Sequence, residues 1–252
     1  MRSVPVTRPS LSSSSWALAL GVACVALGAG ACQSGLPPVD SPARQEGTLG
    51  NGSFLFACDD SVSCNSFKAF ATKFPDKVAQ GASFHVQFYP TDNSYQLTES
   101  VKESGASIGT VGSSFLSFGP SGITGLKAGV GTITVMNAQG ALVDFISINI
   151  AKPDALVVYD ATYSGTSPAP VTTLTLAPND TKSFRTLARE TGHDLAGAFE
   201  SEWTPADPSV VSVTGYDGAQ ANLLAGKVGT TTIAVAGAGL TQTIQVTVQV
   251  SQ

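Results

Sequence analysis

One nine-residue phrase occurs twice in this chain, and it limits the fold more than any other feature. Residues 127–135 read KAGVGTITV and residues 227–235 read KVGTTTIAV, so Lys, Gly, Thr, Ile and Val return 100 positions apart. In each copy a glycine precedes a run in which apolar and polar residues alternate. That spacing of two is how a strand with one buried face looks. Ile133 and Val135 share a face, with Val130 before them, and Thr132 and Thr134 take the other. In the second copy Ile233 and Val235 point inward while Thr232 and Ala234 point out. Gly129 and Gly229 are placed to supply the positive φ of a tight turn. A second apolar–polar run follows each phrase, at 142–150 and 241–250, across turn-like segments NAQG (137–140) and GAG (237–239). The expectation is an all-β chain with two related domains in tandem.

The stretch before the second phrase adds a resemblance. Residues 203–213 read WTPADPSVVSV: a Trp, a turn rich in Asp, Pro and Ser, and a Val-x-x-Val run before the glycine turn and its strand. The combination resembles the bacterial immunoglobulin-like group 2 domain of invasin- and intimin-type surface proteins. Residues 154–250 carry the likeness well. Residues 75–151 keep GLKAGVGTITV but lack the Trp and hold Phe115 and Phe118 in the preceding strand. The resemblance implies two Ig-like β-sandwiches, at 75–151 and 154–250, with Trp203, Ile133, Val135, Ile233 and Val235 in their cores. It also implies a non-catalytic role. At 252 residues, the chain has the length two such sandwiches need.

The amino-terminal 31 residues read as a targeting segment. Arg2 and Arg8 precede an apolar run, WALALGVACVALGAGA at 16–31, which is short for a membrane span. It ends in Ala-Gly-Ala directly before Cys32. Either a signal peptidase cuts after that triplet, or Cys32 is the lipid-bearing cysteine of a bacterial lipoprotein. The lipid reading accounts for a lone thiol at the cleavage point, although Ala29 stands where a leucine is usual. Residues 32–52, rich in Pro, Gly and Ser, then read as a flexible tether. Removal of the leader takes two of 13 bases and none of 18 acids, which moves the net charge from −5 to −7. That balance argues against nucleic acid as a partner. The expected location is the cell envelope, anchored to the membrane through Cys32.

Residues 53–74 read as a small cap. Residues 53–57 (SFLFA) look like a strand, and Cys58 and Cys64 enclose a polar loop that a disulfide would close in an exported chain. The spacing is C-x5-C with no histidine nearby, so neither a redox motif nor a zinc set is indicated. Phe67, Phe70, Ala71 and Phe74 share one helical face, and Pro75 ends it.

Little in the chain points to chemistry, and no cofactor or metal is expected. Residues 105–109 (GASIG) match the G-x-S-x-G string of serine hydrolases, but a poor helix former follows, and Ser107 reads as a turn residue. His193, in the polar run ETGHD, has no partner histidine within reach. Three classes of function are therefore weighed. The first is a structural or adhesive module with a protein partner. The second is a polysaccharide binder, which needs coplanar exposed aromatics drawn from Tyr89, Tyr95, Tyr159, Tyr163 and Tyr216. The third is an enzyme, which needs a converging acid, base or metal set that the sequence does not display.

Overall fold

The computed structural model describes residues 44–57, 74–92, 94, 96–98, 105–111, 114–119, 122–162 and 169–250. Cys32, Cys58, Cys64, Tyr95 and Tyr163 lie outside these residues, as do the leader and most of the helical stretch before Pro75. All regular structure among the described residues is strand.

The first half of the chain supplies ten strands: β1 (Arg44–Glu46), β2 (Gly52–Ala57), β3 (Lys77–Ala79), β4 (Ser83–Pro90), β5 (Leu97–Thr98), β6 (Ser107–Val111), β7 (Leu116–Gly119), β8 (Gly122–Gly125), β9 (Gly129–Met136) and β10 (Leu142–Ala151). One sheet runs β1-β2-β4-β8-β7 with β5 beside β4; the other runs β3-β10-β9-β6. Inward side chains of the two sheets meet in a core of Phe54, Phe56, Phe84, Val86 and Phe88 against Ile133, Val135, Ile146 and Ile148. Phe56 stacks on Phe84 at 5.2 Å and meets Phe74 edge-on at 5.9 Å.

The second half repeats the plan strand for strand: β11 (Ala155–Asp160), β12 (Thr173–Leu176), β13 (Thr181–Glu190), β14 (His193–Asp194), β15 (Ser201–Pro205), β16 (Val211–Asp217), β17 (Gln220–Ala225), β18 (Gly229–Gly237) and β19 (Leu240–Val248). Its sheets run β11-β13-β17-β16, with β14 beside β13, and β12-β19-β18-β15. These are the orders of the first half with β1 left out. Even the odd pairing recurs, because β3 lies parallel to β10 and β12 parallel to β19 while all other ladders are antiparallel. Turn bonds match as well: Gly81 N donates to Gly125 O, and Asn179 N to Ala225 O. Two β-sandwiches built to one plan are the result.

Ile133, Val135, Ile233 and Val235 are fully buried, and Trp203 is buried beside Val235 with its indole Nε1 donating to Ser201 Oγ at 2.9 Å. A buried indole N–H needs such a partner, and the residue two places back on the same inward face supplies it. Gly129 has φ 143° and Gly229 φ 159°. A side chain on Gly129 would also strike the Phe115 ring. Ala238 and Gly239 both take positive φ, as a two-residue hairpin between right-twisted strands requires.

Several expectations need correction. Val130 is not on the core face; it alternates away from Ile133 and is 54 % exposed. Residues 44–46 are strand rather than tether, and residues 47–51 form the turn to β2. Residues 52–57 are the first full strand of the sandwich, paired with β4 along its length, not part of a separate cap. An apolar run such as SFLFA marks a strand but cannot show which sheet it joins. Ser107 opens strand β6 opposite Met136 and is no turn residue.

Candidate functional site

The two sandwiches lie in one compact unit, residues 37–252, and three linker residues, Lys152, Pro153 and Asp154, join β10 to β11. The joint is made by backbone. The segment Ala196–Gly197–Ala198 of the second sandwich slots against β3 and the start of β4 in the first. Ala79 N donates to Ala196 O (2.9 Å), Ala196 N to Lys77 O (3.1 Å), Ser83 N to Ala198 O (2.8 Å) and Ala198 N to Ser83 O (2.7 Å). Val78, Ala79 and Ala82 are fully buried beneath this contact. Gly197 has φ 101°, and a Cβ there would lie 2.7 Å from Ala82 Cβ. Only glycine fits both the dihedral and the gap. Lys77 pairs with Glu190 across the same boundary, but both side chains are partly exposed, so the pair adds little.

Beside the joint lies an open cleft of about 840 Å³, walled by both sandwiches and the linker, with Phe84, His85, Leu126, Lys152, Phe199 and Glu200 among its lining residues. His85 and Glu200 come from different sandwiches. Neither Ser107 nor His193 lines it; His193 is exposed beyond the Thr191–Gly192 hairpin. No group of three or more His, Cys, Asp or Glu poised for a metal occurs among the described residues.

Of the five tyrosines weighed as a sugar platform, Tyr89 and Tyr159 are each only 2 % exposed. Both are therefore unable to offer a ring face to solvent, and the expectation is corrected for them. Tyr159 lies on the outer side of its sheet opposite Arg185, with the Arg189–Asp194 ion pair (2.6 Å) on the same face. Burial pushes its phenol up to about 12, against the opposing pull of Arg185. An unfolded tyrosine ionises near pH 10, so the native state holds this proton more tightly. Stability from this group is complete below about pH 10 and falls as pH rises toward 12. Tyr159→Phe is expected to flatten that alkaline loss by on the order of 2 kcal/mol, read from thermal melts between pH 9 and 11.5.

Among the described residues, two buried charged groups carry no functional signal in the sequence. Asp144 is fully buried near the start of β10, and its carboxylate accepts from Leu49 N and Asn51 N (2.8 Å each) and from Phe145 N (2.8 Å). Its burial was legible: Ile146, Ile148 and Ile150 set the inward parity, and Asp144 falls on it. Arg44 is 8 % exposed, with its guanidinium 4.0 Å from the centre of the Tyr89 ring. A three-residue strand leaves no periodicity by which to find it.

No family model matches the chain, and no curated protein does. Among solved structures, a fragment of the S-layer protein SbsC aligns at 14 % identity and TM-score 0.29 over 68 % of this chain and 24 % of that one. The Escherichia coli adhesin FdeC aligns at 16 % identity and TM-score 0.31, over 71 % and 62 %. An endo-fucoidan hydrolase of glycoside hydrolase family 107 aligns at 12 % identity and TM-score 0.30, over 71 % and 28 %. The chain thus spans about a quarter of the first of these proteins. An adhesin, a surface-layer protein and a hydrolase at this level define no function, and the fold class here stands on strand order and core.

Proposed function

We propose that this is a non-enzymatic, exported envelope protein whose paired Ig-like sandwiches form a stiff element for adhesion or display, tethered to the membrane by a lipid at Cys32. The observation that carries this reading is the joint. Four backbone hydrogen bonds and a glycine fitted to its gap hold the two sandwiches as one body, which suits a part that must project a surface at fixed distance. The leader, the low charge content of 12 % and the group 2 Ig-like resemblance support the same reading. The burial of Tyr89 and Tyr159 weighs against a polysaccharide-stacking platform.

The test uses the full chain in a bacterial host grown with an alkyne fatty acid. The wild type is expected to take up the label, to fractionate with the envelope and to raise retention of the cells on a host-cell or matrix-coated surface. Cys32→Ser is expected to lose the label and the envelope association together. Absence of label on the wild type overturns the anchor; unchanged retention with the protein present at the surface overturns adhesion.

A further inference from the structure

The first sandwich receives its neighbour beside one turn, and the second sandwich carries the same turn where β19 ends. Residues 79–82 lead from β3 to β4, and residues 177–180 lead from β12 to β13. The backbones agree bond for bond. Ala82 N donates to Ala79 O and Asp180 N to Ala177 O, at 3.1 Å each. Gly81 N donates to Gly125 O and Gly125 N to Ala82 O; Asn179 N donates to Ala225 O and Ala225 N to Asp180 O. The third residue of each turn has positive φ, 85° at Gly81 and 70° at Asn179, and Pro178 presets the second position of the later one. In this register Thr175, Ala177 and Thr181 stand where Lys77, Ala79 and Ser83 stand in the first sandwich. Those three are the residues whose backbone groups hold Ala196 and Ala198 at the joint. The edge that makes the joint is therefore built twice.

The two copies part company at one position of the turn. Ala82, fully buried under Gly197, has Asp180 as its exposed counterpart. The Asp180 carboxylate folds back and accepts from Ala177 N at 2.9 Å. That N–H is the counterpart of Ala79 N, which at the joint donates to Ala196 O. A sandwich arriving at β12 would find this donor taken, and its carbonyl would face a carboxylate oxygen with no proton to share. It would also meet side-chain bulk where the joint has none to spare, since even a Cβ on Gly197 would lie 2.7 Å from Ala82 Cβ. Lys182, opposite Leu223 where the first sandwich has Phe84 opposite Ile123, puts a second charge on the same edge. Charges on an open strand edge keep it from pairing with another chain. Capping a turn would not by itself require the carboxylate to fall on the one donor that the joint uses.

We infer that the β12 edge is a second joint surface held shut by Asp180, so that stacking happens once, at β3, and is refused at β12. The partner this edge would otherwise take is a sandwich built like the second one, with a small-residue loop such as Ala196–Gly197–Ala198. A contact of that kind repeats head to tail without closing on itself, which is what the carboxylate prevents. The inference rests on the geometry of the joint and not on the adhesive role proposed above.

The test extends the full chain after Gln249 with a second copy of residues 152–249, because Gln249 follows Val248 as Ala151 follows Ile150 in the matching register. Amide exchange is then read at the added copy's counterparts of Ala196 and Ala198. With Asp180 in place these amides are expected to exchange as an open loop does. With Asp180→Ala they are expected to be protected roughly tenfold or more, as hydrogen bonds to the β12 edge imply. Protection at the added copy's counterparts of β18 and β19 shows in both cases that it has folded. Loop protection with Asp180 present would mean that the edge is open, and the stop is overturned. Free exchange in the Asp180→Ala chain would mean that β12 is no joint surface, and the inference is overturned from the other side.

Discussion

Gly197→Ala is expected to convert one body into two. The added methyl meets the Ala82 Cβ at 2.7 Å and Val78 Cγ1 at 3.1 Å, and the backbone at φ 101° resists any side chain. Relief requires the Ala196–Ala198 segment to lift from β3, which breaks up to four inter-sandwich hydrogen bonds, each worth about 1 kcal/mol net. A merged calorimetric transition should separate into two, and small-angle scattering should show a broader spread of dimensions. The control is Gly192→Ala, in the same sandwich with φ 80° and open space around it. That variant carries only the dihedral penalty of about 1–2 kcal/mol and should leave the joint closed. Equal behaviour of the two variants would mean that the fit at Gly197 is not what holds the sandwiches together.

The second large effect is expected at Asp144. Asp144→Ala strands two backbone donors, Leu49 N and Asn51 N, in a region with no other acceptor assigned to them, and removes charged hydrogen bonds worth about 1.5–3 kcal/mol each. A total loss of about 3–5 kcal/mol is expected for the first sandwich, measured by denaturant unfolding. Asp144→Asn should not rescue it, because the amide presents donors where one of the backbone N–H groups now finds an oxygen. Hydrogen exchange gives the sharper readout: protection at Leu49 and Asn51 should disappear while β18 and β19 stay protected. Uniform loss across both sandwiches would contradict the placement of Asp144 as a local latch. The two experiments are independent, since the joint and the latch share no residue.

How far the chain could be read in advance depended on range along the sequence. The repeated phrase, the runs beside it and the hairpin turns are local patterns, and all appear as β9, β10, β18 and β19 with the expected core faces. The parity that put Ile133 and Val135 inside also exposes Val130, which a strict count of twos would have shown. Gly197 sits in a run, DLAGAF, whose composition says only "loop"; its importance comes from Ala82, more than a hundred residues away. Arg44 and residues 47–51 read as a tether because a strand of three residues and a tight turn carry no period, and because the group that fastens the turn, Asp144, lies more than 90 residues further along the chain.

By itself the sequence determined that this chain pairs alternating strands across glycine turns and does so twice, since burial of every second side chain is a property of neighbours. Only the tertiary structure decided that β1 and β2 belong to the first sandwich, that one glycine locks the second sandwich to it, and that Arg44 is buried without an acceptor. Each of those depends on groups brought together from distant parts of the chain, where backbone hydrogen bonds and close packing, not local pattern, set what touches what.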